Sequence, residues 1–185
     1  DSLNRDGRLQ TDSIKGEILW GDARQAINNI NKSISFDLIL LDPFSPTKCP
    51  QLWSEEFLNS LVRKMAYNGK LITYSRAAAI RGSLRRAGLK IFSIPPKDKT
   101  QEDWSDGTIG ILLNKKHERG ISNNSFFQNL TSMEEEHLLT KAAIPYRDPS
   151  GEGNSEEILR HRQIEQKDSQ LEKTKNWKKR WSVCN

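Results

Sequence analysis

Cysteine is nearly absent. Cys49 and Cys184 stand at opposite ends of 185 residues, with no CxxC pair and no Cys/His spacing, which excludes a disulfide framework and a thiolate zinc site. The histidines His117, His137 and His161 are scattered among charged residues and form no metal cluster. No apolar run is longer than Leu38–Leu41, far short of the roughly 20 residues that a membrane-spanning helix needs. The opening DSLNRDGRLQ also lacks the apolar region of a signal peptide. A soluble, cytoplasmic chain without metal or membrane partner is expected. Glycine-rich turns are missing as well: Gly151-Glu152-Gly153 is the only Gly-x-Gly, and it lies in a polar stretch.

What is present centres on Ser35–Pro50, SFDLILLDPFSPTKCP. The apolar run Phe36–Leu41 is short, broken only by Asp37, and followed by Pro43 and Pro46. That pattern predicts a fully buried parallel strand rather than a helix. In an open α/β sheet, ligands bind beyond the carboxyl ends of such strands, where Asp42, Phe44 and Ser45 would stand.

A hydrophobic content of 35% and a mean hydropathy of −0.74 allow one core and leave a polar remainder. The net charge of +5 is concentrated. Eight basic residues and no acid occupy Arg63–Lys90, a local positive field suited to an anionic partner.

In chain order, a polar start precedes a short strand at Glu17–Trp20 and a helix at Ala23–Ile30 capped by Asp22. After the Phe36–Leu41 strand come a helix over Glu55–Ala66 capped by Ser54, a strand over Lys70–Tyr74 after Asn68-Gly69, and a helix over Arg76–Ala87 capped by Ser75. Leu89–Ile94 and Thr108–Leu113, joined by the loop KDKTQEDWSDG, read as an antiparallel hairpin at one sheet edge. Strands alternating with helices indicate an α/β doubly wound sheet. From Asn114 onward apolar residues thin out, so a domain edge is placed near Leu113. Ser132-Met-Glu-Glu135 and Asn154-Ser-Glu-Glu157 match helix capping boxes, and LEKTKNWKKRW makes a basic, tryptophan-bearing end.

LLDPFSP, then QLWSEEFLNSL, then NGKLITYSRAAAIRGSLRRAGLKI together resemble the MnmC-like tRNA methyltransferase domain over roughly Gly16–Leu113. PYRDP and WKKRW look like extensions of cyanobacterial relatives. The resemblance implies a Rossmann-like class I S-adenosylmethionine-dependent fold. It would be incomplete here, since the first strands and the GxGxG-type turn that approaches the cofactor are absent. Residues 1–113 would be a partial methyltransferase domain and 114–185 a polar, partly helical basic extension. The absent strands would lie between Glu17–Trp20 and Phe36–Leu41, leaving unpaired edges open to self-association.

The same resemblance assigns roles to particular residues. Gly21 and Asp22 lie where the adenine of S-adenosylmethionine binds, although Asp22 would equally serve as a helix cap. Asp42 would orient the acceptor amine or take its proton, against the alternative of a turn-forming Asp before Pro43. Asp42 and Phe44 also border the cofactor. Phe44 and Trp53 can stack on an extruded base, or belong to the core. Pro46 shapes the turn, and Cys49 is a bystander thiol without a paired base. Arg76, Arg81 and Arg85 would meet RNA phosphates, or form a solvated helix face. The expected activity is methylation of the aminomethyl group of a modified wobble uridine in tRNA. The alternatives are an inactive RNA-binding remnant and a polyamine aminopropyltransferase, against which the basic Arg63–Lys90 region counts.

Overall fold

A computed structural model describes residues 7–96, 105–114 and 126–183. Most of the loop KDKTQEDWSDG, together with His117 and Cys184, lies outside the described residues. The chain divides into two compact units, residues 1–31 and 32–185. Among the described residues no helix is long and apolar enough to cross a membrane.

In the first unit, β1 (Arg8–Gln10) pairs antiparallel with β2 (Lys15–Glu17), and α1 (Ala23–Asn29) follows. The strand expected at Glu17–Trp20 is therefore displaced. Its pairing partner is the local hairpin, with Arg8 opposite Glu17 and their side chains 3.3 Å apart. Beyond Glu17 the ladder ends, and Leu19 and Trp20 are exposed.

The second unit is built on a sheet of order β3-β4-β6-β5-β7. Its strands are β3 (Phe36–Leu40), β4 (Met65–Thr73), β5 (Lys90–Ile94), β6 (Gly107–Ile111) and β7 (Gln128–Asn129). β3 and β4 are parallel; every other pairing is antiparallel. The expected pairing of the last two long strands holds, but their place is corrected. β6 is inserted between β4 and β5, inside the sheet rather than at its edge. All five of its residues are buried, and Gly107 and Gly110 allow the close approach: a Cβ at Gly107 would stand 2.5 Å from the Thr73 carbonyl oxygen.

β3 is parallel as expected but not fully buried. Among the described residues it has a neighbour on one side only, so Leu38 and Leu40 are 51% and 70% exposed. Leu41, at the strand's end, is buried.

Helix α2 (Glu55–Val62) is capped by Ser54, whose hydroxyl accepts from the Phe57 amide. It stops short of Ala66 because Met65 already opens β4. Asn68, at φ 64°, sits inside that strand and accompanies a register shift opposite Phe36–Leu38. Helix α3 (Ala78–Arg86) starts later than expected: the residue at its cap is Ala77, and Ser75 accepts from the Ala77 amide instead. Every residue of Ala78–Leu84 is buried, more than the single stripe of an amphipathic helix, because the 3₁₀ turn Lys141–Ala143 also packs on this helix.

Residues 126–183 belong to the same compact unit as the sheet. Helix α4 (Ser132–His137) has its capping box one residue earlier than read, from Thr131 to Glu134. Helix α5 (Ser155–Asp168) is boxed by Asn154 and Glu157, as expected. On α6 (Thr174–Arg180), Trp177 is 1% exposed and donates to the Met133 carbonyl at 3.0 Å, while Trp181 donates to Glu136 at 2.8 Å. The tryptophans of the basic end are thus packing residues.

His137 stacks on Trp177 with ring centroids 4.1 Å apart. Burial first, then the Arg81 and Lys178 charges, lower its pKa from 6.5 to about 4. The unfolded chain therefore binds the extra proton first as pH falls, so stability should drop between pH 6.5 and about 4. Because the ring is partly accessible, a loss on the order of 2 kcal/mol is expected. His137→Phe keeps the stack and removes the proton site. Thermal melts at pH 6.5 and 5 should show the wild-type decline reduced in that variant.

Candidate active site

The turn after β3 leaves the sheet at a defined point. The register pairs Leu40 with Ile72, the Leu41 amide donates to the Ile72 carbonyl at 2.9 Å, and Asp42 and Tyr74, just past the two strands, line one cleft. Pro43 has no amide to extend the ladder. The chain turns outward, and the Lys48 and Cys49 amides close on the Ser45 carbonyl at 2.8 and 2.9 Å.

Two aromatic side chains hold this turn from beneath. The Trp53 indole donates to the Phe44 carbonyl at 2.7 Å, and the Tyr74 hydroxyl donates to the Pro43 carbonyl at 2.9 Å. Their rings meet edge to face at 5.9 Å. Trp53 is completely buried, so of the two readings open in the sequence the core one describes its position. Phe44 is 78% exposed.

An open cleft of about 670 Å³ lies above, lined by Asp42, Phe44, Ser45, Cys49, Leu52 and Tyr74 among others. Asp42 is exposed at its rim. Partial burial and then the neighbouring Asp42 carboxylate and Cys49 raise the Tyr74 hydroxyl above its ordinary pKa, keeping it a neutral donor. Pro46 is half-buried in the same turn. Tyr74 was missed from sequence, yet a signal existed: a residue ending a strand parallel to β3 emerges at the same sheet end.

The basic run does not stay together. Arg76 is exposed two residues past Tyr74, with its guanidinium on the Ser105 carbonyl at 3.0 Å. Arg81, expected beside Arg85 on an accessible helix face, is instead 2% exposed. It pairs with Glu134 at 2.8 Å and donates to Thr108, Ser105 and the Gly107 carbonyl. Arg85 pairs bidentately with Glu135, and Arg86 pairs with Glu55. Three of the eight basic residues in the window, Arg81, Arg85 and Arg86, are thus paired with glutamates from outside it.

In the other unit, Asp22 caps α1 through the Arg24 amide at 2.9 Å and binds the Arg24 guanidinium at 2.7 Å. The Arg24 hydrogen bond, against slight burial, holds its carboxyl below the usual range. Gly21 precedes it at φ 112°, a conformation that favours glycine.

Residues 3–102 match the profile of a family described as S-adenosyl-L-methionine-dependent methyltransferase. The chain belongs to this family. Other similarities agree with that placement. The methyltransferase is 38% identical over 78 residues to the tRNA 5-methylaminomethyl-2-thiouridine biosynthesis bifunctional protein MnmC of Azoarcus sp., a stretch covering 42% of this chain and 12% of that relative. It is 30% identical over 164 residues to an uncharacterized protein of Methanocaldococcus jannaschii, covering 87% of this chain and 42% of the relative. The crystal structure of MNMC2 from Aquifex aeolicus superposes with a TM-score of 0.75 at 24% identity, over 90% of this chain and 50% of that one. It supports the Rossmann-like methyltransferase fold. The methyltransferase chain thus spans 12% of the MnmC relatives from Azoarcus and Campylobacter hominis.

Proposed function

We propose that this chain carries the acceptor side of an S-adenosylmethionine-dependent tRNA methyltransferase whose substrate is the aminomethyl group of a modified wobble uridine. The carrying observation is the cleft, in which an exposed carboxylate, Asp42, and an exposed aromatic ring, Phe44, project from one tethered turn. The MnmC relatives, named for 5-methylaminomethyl-2-thiouridine biosynthesis, supply the substrate class.

S-adenosylmethionine supplies an electrophilic methyl group. Asp42 accepts a hydrogen bond from the acceptor amine, orients its nitrogen, and takes at its carboxylate the proton that the amine releases on methylation. Phe44 stacks on the base, an interaction usually worth about 1–3 kcal/mol. Trp53 and Pro46 shape the turn. Arg76, two residues past Tyr74 in the chain, meets a backbone phosphate, with Arg85 a further contact in competition with Glu135. Arg81 contributes through folding, since its guanidinium is engaged inside.

These 185 residues fit the acceptor better than the cofactor. Their one Gly-x-Gly is committed elsewhere: the Gly153 amide donates to Asp148 at 2.9 Å, and a Cβ there would stand 2.8 Å from the same oxygen. In the first unit, Asp22 and Gly21 would hold the adenine of the cofactor. Calorimetric titration with S-adenosylmethionine, together with binding of an anticodon stem-loop bearing 5-aminomethyl-2-thiouridine, tests the proposal. Binding of both is expected. RNA binding without cofactor binding would favour a binding-only remnant, and failure to bind the RNA would overturn the substrate assignment.

A further inference from the structure

In the turn that bears Asp42 and Phe44, two consecutive carbonyls, Pro43 and Phe44, are each met by an aromatic donor. Tyr74 reaches Pro43 at 2.9 Å and Trp53 reaches Phe44 at 2.7 Å. Those donors come from different elements. Tyr74 follows β4, the neighbour of β3, while Trp53 ends a 3₁₀ turn, Pro50–Trp53, that leads into α2. With both carbonyls drawn inward, the side chains of Asp42 and Phe44 are left to the cleft.

The α2 start that carries Trp53 is itself fastened from far along the chain. Ser54 bridges Tyr146, and the Glu55 amide donates to the Tyr146 carbonyl at 2.9 Å. Glu56 accepts from both the Arg147 guanidinium and the Asp148 amide at 2.7 Å. Arg162 lies 4.4 Å over the Tyr146 ring. The tether therefore continues from the segment 146–148 through α2 and Trp53 to the turn.

We infer that Tyr74 and Trp53 are positioning residues for the acceptor turn, and that the 146–148 segment acts through Glu56 to hold Trp53 in place. The inference rests on reading the cleft as the acceptor site. Tyr74 keeps its hydroxyl on the backbone and touches no reacting atom. Trp53 is fully buried, so its replacement risks the fold; Tyr74→Phe keeps the ring contact and removes one hydrogen bond, and Glu56→Gln loosens the remote fastening.

Two measurements test this in the full chain. Amide hydrogen exchange at Lys48 and Cys49, whose amides close the turn, needs no substrate. Tyr74→Phe should speed it about tenfold, the consequence of losing a hydrogen bond of typical strength, while amides of α3 stay protected as in wild type. Glu56→Gln should move the same two amides in the same direction. In methyl transfer to the modified stem-loop, Tyr74→Phe should lower kcat about tenfold with KM within about twofold. Unchanged exchange would overturn the tether, and a raised KM with unchanged kcat would make Tyr74 a substrate contact. A wild type that transfers no methyl would count against the functional reading, whereas the exchange measurement still decides the tether.

Discussion

Arg81→Met should lower unfolding stability by about 3–5 kcal/mol, the usual cost of removing one member of a buried ion pair. The guanidinium is 2% exposed and joins α3 to Glu134 of α4, to Ser105 and to Thr108 of β6. Its loss deprives the Glu134 carboxylate, 3% exposed, of its paired guanidinium. Burial works to raise that carboxyl, and Arg81, the Thr131 amide and the Ser105 hydroxyl together bring it below its ordinary pKa. Glu134→Leu combined with Arg81→Met removes both charges, and urea unfolding should show the double variant more stable than Arg81→Met alone. Additive losses would show that the pair is not the source of the effect.

Asp42→Asn should reduce methyl transfer about a hundredfold or more if the carboxylate accepts the proton, within the range usual for a general base. Because Asp42 is exposed at the cleft rim, its replacement should leave the melting temperature nearly unchanged. An amide preserves shape and one acceptor oxygen. A loss of less than about tenfold would therefore reduce Asp42 to positioning the amine. Single-turnover transfer of labelled methyl to the modified stem-loop separates the two outcomes.

Much of the fold was legible where a local rule acted alone. Asp22 and Ser54 cap the helices they precede, the Asn154–Glu157 box is present, and β3 lies parallel to β4. What went astray depended on distant chain. The inward position of β6 cannot be read from its own residues, since pairing with β5 is the same at an edge or in the interior. Burial of Arg81 depends on Glu134, 53 residues away. An arginine run looks solvated until the chain returns to cover it. Within the site, Asp42 and Phe44 announced themselves through the proline-punctuated turn. Trp53 matched its motif but lies under the turn, and Tyr74 became visible only through strand register.

The placement of β6 also orders events during synthesis. Lys70–Thr73 of β4 hydrogen-bond to Thr108–Ile111, and Lys90–Ile94 of β5 pair with the same strand from its other side. A nascent chain that has not yet emerged past Ile111 holds β4 and β5 with no strand between them. Such non-local closure is slow compared with helix formation, and open strand edges attract other chains meanwhile. Conditions that lengthen the interval between emergence of Ile94 and of Ile111 should therefore lower the soluble yield of this protein more than pauses elsewhere in translation.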